Sequence, residues 1–338
     1  MPTSSSKRLK RVSRRKPYVF FVLNFILLLA GCSQSPTYPP NPTTPTTPPE
    51  STQNLRPAGS PDVVVIGFAG RNCASGCDAP FSNKAYLDDI ENQTLQGLKA
   101  AFESIGYKTE YQSYAAKVGR YLDYNRDDGY WQAQQRLNQI KRDWIADFDN
   151  PTRLVLVGHS NGTVWASLLA MENPDVTFDY GIYLDGVCNQ WDEDNLEYGF
   201  WTSTNLIREF YTAIGQPYPK TLSILGKACE AYPVPGFGYQ HIKDIVPWNV
   251  TWGLEFQANT ALAVDNAPIT TQGKCFGPIT DWVGVKDKND NMRPDGSLLG
   301  LHIERSISQD HCEIDEHDGV AMREAYSIIR ANGLPGKD

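Results

Sequence analysis

The sequence predicts an α/β fold: a mostly parallel central sheet with helices on both faces. Three observations predict it. Residues 62–66 (DVVVI) and 153–157 (RLVLV) are short apolar runs rich in β-branched residues, the pattern of strands covered on both sides. Strand patterns then alternate with amphipathic helical patterns, an order that implies right-handed crossovers and parallel pairing. Finally, in residues 153–172 (RLVLVGHSNGTVWASLLAME) a buried strand passes through a five-residue turn straight into a helix.

The chain opens on a leader rather than on the fold. Residues 1–17 carry Lys7, Arg8, Lys10, Arg11, Arg14, Arg15 and Lys16 and no acid. Residues 18–30 are apolar apart from Asn24. That run is short of the ~20 residues a membrane-spanning helix needs, and fits the apolar core of a signal peptide. The leader is taken as 1–31. Residues 32–61 are dominated by Pro, Thr and Ser, cannot bury a core, and read as an extended tether. Residues 62–338 remain, ample for one large α/β domain. The net charge of −8 becomes more negative once the basic leader is set aside, so no nucleic-acid partner is expected.

Within the domain, 62–66 is the first strand. A helix over 91–105 places Leu95, Leu98 and Phe102 on one face, with Gly106 closing it. Residues 108–114 alternate as a strand. Residues 128–148 form a longer helix striped by Trp131, Leu137, Ile140, Trp144 and Ile145. After the strand at 153–157, Val164, Leu168 and Met171 share one face of the next helix, and 180–187 (YGIYLDGV) is a strand. Residues 191–248 are aromatic and rich in Pro and Gly, either a cap inserted over the site or a second layer of core, with a short helix at 206–214 and a strand at 221–225. Strands at 250–258 and 299–307 and a helix at 319–331, capped by Asp315 or Asp318, complete the order. A site in such a sheet lies at the carboxyl ends of the strands.

The turn Gly158-His159-Ser160-Asn161-Gly162 has a glycine two places either side of Ser160. A sharp strand-to-helix turn strains its central residue and brings backbones close, so its flanks must be small. Here the chain resembles the α/β-hydrolase superfamily, whose nucleophile elbow has the pattern G-x-S-x-G. The resemblance makes Ser160 the nucleophile and the Asn161 amide one donor of an oxyanion hole. The second donor falls at Phe68 or Ala69, in the loop after the first strand, although the usual His-Gly pair is missing there. Leu184-Asp185 resembles the pair that ends the corresponding strand in pancreatic-type lipases and carries the acid, with Asp192 and Asp194 as lesser candidates. The superfamily's histidine follows the last strand. Of five histidines, His159 lies in the elbow, His241 in the insertion and His302 in a strand, which leaves His311 and His317. His311 is favoured because the chain still has room to turn before the helix. The resemblance implies a serine esterase or lipase working through an acyl-enzyme on a small-molecule or lipid ester, without a cofactor. The same residues would also suit acyl transfer or amide cleavage, and the fold can serve as a binding module without catalysis.

Leu29-Ala30-Gly31-Cys32 resembles the lipobox of bacterial lipoproteins. By that resemblance the chain is cut before Cys32, Cys32 is lipidated, and the domain is held outside the cytoplasm on the cell membrane or outer membrane. Ser33 favours the outer membrane. Beyond Cys32, Cys73, Cys77, Cys188, Cys229, Cys275 and Cys312 form an even set that reads as three disulfides in an exported domain. Sequence does not choose among their pairings. If Asp185 and His311 meet, their neighbours Cys188 and Cys312 are placed to bridge, leaving Cys73 with Cys77 and Cys229 with Cys275. Zinc-site spacing is absent. Residues 123–129 and 287–291 look like calcium loops but miss the required spacing, Met292 standing where glycine is needed, so no metal is expected.

Overall fold

The structure is a computed structural model. It describes residues 53–70, 83–90, 92–119, 127–188, 228, 232–258, 289–309, 311 and 313–335. All belong to the second of the chain's two units, Thr52–Asp338. The leader, Cys32, Cys73, Cys77, Cys229, Cys275, Cys312, Asp192, Asp194, the helix at 206–214 and the strand at 221–225 lie outside the described residues.

Six strands form one sheet: β1 (Val63–Phe68), β2 (Thr109–Tyr114), β3 (Arg153–His159), β4 (Phe178–Leu184), β7 (Val250–Ala258) and β8 (Leu301–Ile307). Their order is β2-β1-β3-β4-β7-β8 and every pairing is parallel. The expected parallel α/β sheet is therefore present. The chain winds outward to β2, returns past β1 to β3, and then runs on to the far edge. That reversal opens a crevice above β1 and β3 at their carboxyl ends. The register sets Phe68 beside Gly158, and His159 beside Leu184.

Alternation along β1 builds two cores. Val63 and Val65 pack with Leu95, Leu98 and Phe102 of α1 (Thr94–Glu103) and with Ala321, Met322 and Ile329 of α4 (Val320–Asn332). Val64, Ile66 and Phe68 pack on the other face with Tyr130 and Leu137 of α2 (Tyr130–Ile140) and with Val164 and Leu168 of α3 (Gly162–Glu172). Helices thus cover both faces. The described part of 191–248 contains a small hairpin, β5 (Tyr232–Val234) with β6 (Gly238–Gln240), and a 3-10 turn, Ile242–Asp244.

Some local expectations change. α2 ends at Ile140 and one π-helical turn, Lys141–Ile145, continues it, where the stripe predicted an unbroken helix. α3 carries no solvent face, because Gly162 to Ala170 are all buried. The predicted stripe of Val164, Leu168 and Met171 is only part of what it buries, since other elements pack around the helix. Neither Asp315 nor Asp318 caps α4. Gly319 is the N-cap, without a side-chain bond, and Asp315 is drawn into the interior by Asn92.

Candidate active site

The elbow is built by backbone crowding. Ser160 has φ +55°, a left-handed conformation rare outside glycine, and is 2% exposed. Its amide donates to Leu184 O (3.0 Å), which hangs the turn on β4, and Thr163 N–H returns to Ser160 O (3.1 Å) to start α3. A Cβ on Gly158 would stand 2.6 Å from Thr163 Cα. One on Gly162 would stand 2.0 Å from Phe68 O. Both positions are thus closed to side chains by main-chain atoms.

Three side chains named from the sequence meet above this turn. Asp185 follows the last residue of β4, with φ +42° and its amide bonded to Phe256 O (2.8 Å). Its Oδ1 accepts from Ala258 N–H (2.9 Å), and its Oδ2 accepts from His311 Nδ1 (2.6 Å). The carboxylate fixes the proton on Nδ1, so Nε2 presents its lone pair to Ser160 Oγ, 3.0 Å away. Ser160, Asp185 and His311 are all buried. The arrangement can pull a proton from a serine hydroxyl and hold the resulting imidazolium against a carboxylate.

Of the two candidate histidines, His311 faces Ser160. His317 sits beside α1, its amide bonded to Asn92 O (2.9 Å) and its Cβ near Gly97. His302 lies within β8 and packs near Phe256.

The oxyanion donors need correction. Ala69 N–H is spent on Tyr114 O (2.8 Å). By the alternation of a parallel strand, Phe68 N–H then points to β3, where Gly158 is its register partner. Neither amide turns into the site, because β1 keeps pairing to its last residue. Gly70 N–H is taken by Tyr86 Oη (2.7 Å). Asn161 is the N-cap of α3, and no acceptor among the described residues takes its N–H. It is the one amide of the three named whose placement suits an oxyanion.

Sequence reasoning missed a second polar array. Tyr86 Oη lies 2.6 Å from His159 Nδ1, and His159 Nε2 lies 2.7 Å from His311 O. The two imidazoles are 5.0 Å apart at their centroids. Burial lowers the His159 pKa to about 3, with the neighbouring His311 adding to the effect. Asp315 closes the array, its Oδ2 3.7 Å from His159 Nδ1 and bonded to Asn92 Nδ2 (2.8 Å). Burial pushes its pKa up to about 8.

That carboxyl makes a stability prediction. Folded Asp315 keeps a proton that the unfolded chain loses near its ordinary pKa of 3.8. Its contribution is whole below that value and is lost as pH rises toward about 8. Glu255, raised by burial to about 7, adds the same sign lower in the window. Asp315→Asn is therefore expected to gain on wild type by on the order of 1 kcal/mol per pH unit between roughly pH 4 and 8. Urea unfolding at pH 5 and 7.5 measures this, and parallel profiles for the two proteins would refute it.

Cys188 is buried and disulfide-bonded, and every other cysteine lies outside the described residues. In the second calcium-like loop, Asp290 is paired with Arg305 and Asn291 N–H donates to Glu255 (2.7 Å). Among the described residues no group of three or more His, Cys, Asp or Glu is placed to hold a metal, and no helix is long and apolar enough to cross a membrane.

No protein-family model matches the chain, and no curated protein does. Solved structures similar to it include a hydrolase of the α/β superfamily from Xanthomonas campestris pv. campestris (18% identity, 37% of this chain and 57% of that one, TM-score 0.22). The chain thus spans little more than half the length of that relative. An esterase of Pyrobaculum calidifontis is similar at 13% identity over 84% of this chain and 77% of that one, with TM-score 0.36. The Vlm2 thioesterase domain is similar at 11% identity over 84% and 98%, with TM-score 0.31.

Proposed function

We propose that the chain is a serine hydrolase of carboxylic esters, with Ser160 as nucleophile, His311 as general base and then acid, and Asp185 as its orienting carboxylate. The observation that carries the reading is the unbroken series Ser160 Oγ, His311 Nε2, His311 Nδ1 and Asp185 Oδ2, at 3.0 and 2.6 Å. As Ser160 Oγ bonds to the ester carbonyl carbon, its proton passes to His311 Nε2. The Asn161 amide and the N-terminus of α3 face the charge that grows on the carbonyl oxygen. His311 returns the proton to the departing alkoxide, and the alcohol leaves. Water, deprotonated by the same nitrogen, then attacks the acyl-enzyme and frees the acid and Ser160. No step asks for a cofactor.

The domain is further proposed to work outside the cytoplasm, anchored through Cys32. The basic leader, the apolar run and the Leu-Ala-Gly-Cys ending support this. Globomycin-sensitive processing and metabolic labelling with a palmitate analogue, both lost in Cys32→Ala, would test it.

Only an activated serine reacts with a fluorophosphonate, so the wild-type chain is expected to label at Ser160 and Ser160→Ala to label not at all. Turnover of p-nitrophenyl esters of rising chain length then defines the acyl preference. A wild-type chain that neither labels nor hydrolyses any of these esters would make the fold a binding module instead.

A further inference from the structure

We propose that His159 and Tyr86 are positioning residues that tie the loop of the base and the loop after β1 to the nucleophile's own turn. The inference rests on the serine-hydrolase reading above.

The directions of the hydrogen bonds carry the argument. At one end Gly70 N–H can only donate, so Tyr86 Oη accepts it and has its own proton free to give. The tyrosine proton is then free for His159 Nδ1 at 2.6 Å, provided that this nitrogen is bare. At the other end His311 O can only accept, so His159 Nε2 must carry the ring's proton at 2.7 Å. The His311 end demands the Nε2–H tautomer, the tyrosine end accommodates it, and a neutral ring is what the depressed basicity of this buried histidine supports. From Gly70 through Tyr86 and His159 to the His311 carbonyl, donors and acceptors thus match in one arrangement.

The geometry says what the array holds. His311 sits in the irregular stretch between β8 and α4, where no strand ladder holds the main chain. Its ring is held at both nitrogens, by Asp185 and Ser160, and its own carbonyl is held by His159. His159 is the last residue of β3 and immediately precedes Ser160. Base and nucleophile thereby share one reference frame, with a rigid central strand beneath it. Tyr86 extends the tie to Gly70, where a Cβ would lie 2.5 Å from Ser160 Cβ. A small rotation of the His311 peptide would swing Nε2 off Ser160 Oγ, and misplacement of reacting groups by about 1 Å can cost on the order of 10²-fold in rate.

The test uses the full chain in detergent, as wild type, His159→Leu, His159→Gln and Tyr86→Phe. Leucine removes donor and acceptor while filling space. Glutamine restores an N–H that can reach His311 O. Leucine is expected to lower kcat on a p-nitrophenyl ester by about 50-fold with KM within about twofold, glutamine to recover to within about fivefold of wild type, and phenylalanine to lose about tenfold. A second readout needs no substrate. The short His311 Nδ1–H bond to Asp185 is expected to give a far-downfield proton resonance, to be assigned by its absence in His311→Ala. It should shift or broaden in the leucine variant and return in the glutamine variant. An unchanged resonance and kcat in His159→Leu would overturn the proposal. So would a glutamine variant as impaired as leucine, since that would leave His159 as mere filling. If wild type neither turns over ester nor labels, the serine-hydrolase reading fails by itself, and the resonance comparison still decides whether His159 positions His311.

Discussion

Exchanging His311 for alanine is expected to lower kcat on p-nitrophenyl esters by on the order of 10⁵-fold, while His317→Ala stays within about twofold of wild type. The contrast follows from where the two rings lie. His311 bonds Ser160 Oγ and Asp185 together, whereas His317 bonds through its main chain to Asn92 beside α1. Without the imidazole nothing in the array accepts the serine proton, and a hydroxyl at its ordinary basicity is a poor nucleophile. KM should change little, because the base acts on the reacting atoms rather than on binding. Steady-state kinetics of both variants, with thermal unfolding to show that each is folded, makes the comparison. Loss of activity in His317→Ala with retention in His311→Ala would reverse the assignment.

The second large effect is expected from Gly162→Ala. The added methyl would stand 2.0 Å from Phe68 O, 2.7 Å from Phe68 C and 2.7 Å from Ala69 O. These are main-chain atoms of β1 and its exit, so no rotamer change relieves the contact. Either β1 or the start of α3 must shift, and overpacking at backbone costs roughly 3 kcal/mol or more. Activity should fall with stability, since the shift moves Asn161 N–H relative to Ser160. Gly106→Ala is the control: unlike Gly162 it sits at positive φ (+92°), and its Cβ would meet nothing within 4 Å. There the cost should be about 1 kcal/mol. Urea unfolding of the two variants separates crowding from backbone conformation, and equal small losses would refute the close approach.

Much of the frame is legible in the sequence because the sheet is buried on both faces. A strand covered twice must be apolar throughout, and the predicted span 250–258 coincides with the observed Val250–Ala258. The elbow is legible for a related reason: contacts at Gly158 and Gly162 forbid a side chain, and a forbidden side chain leaves a mark in one dimension. Asp185 and His311 are named through the resemblance, which implies an acid at a strand end and a histidine after the last strand. Properties set across space were not legible. Whether Ala69 N–H is free depends on Tyr114 O, which belongs to another strand. Whether Asp315 caps a helix depends on Asn92, distant in sequence. His159 and Tyr86 carry no local pattern at all, since their bonds span 152 and 73 residues. Burial of α3 on every side blurs the stripe by which a helix is usually read.

That last feature also shapes the life of the chain before it is folded. From the start of β3 to the end of α3 the chain runs through twenty residues, 153–172, of which 154–170 are all buried. Its shelter comes from β1 upstream and from β4 and then the 3-10 turn Ile242–Asp244, which emerge later in synthesis. Until then the segment that carries Ser160 leaves the apolar side chains of β3 and α3 uncovered on the nascent chain. Refolding yield should therefore fall with protein concentration, and a carrier that masks 153–172 until Ile242–Asp244 has emerged should restore it.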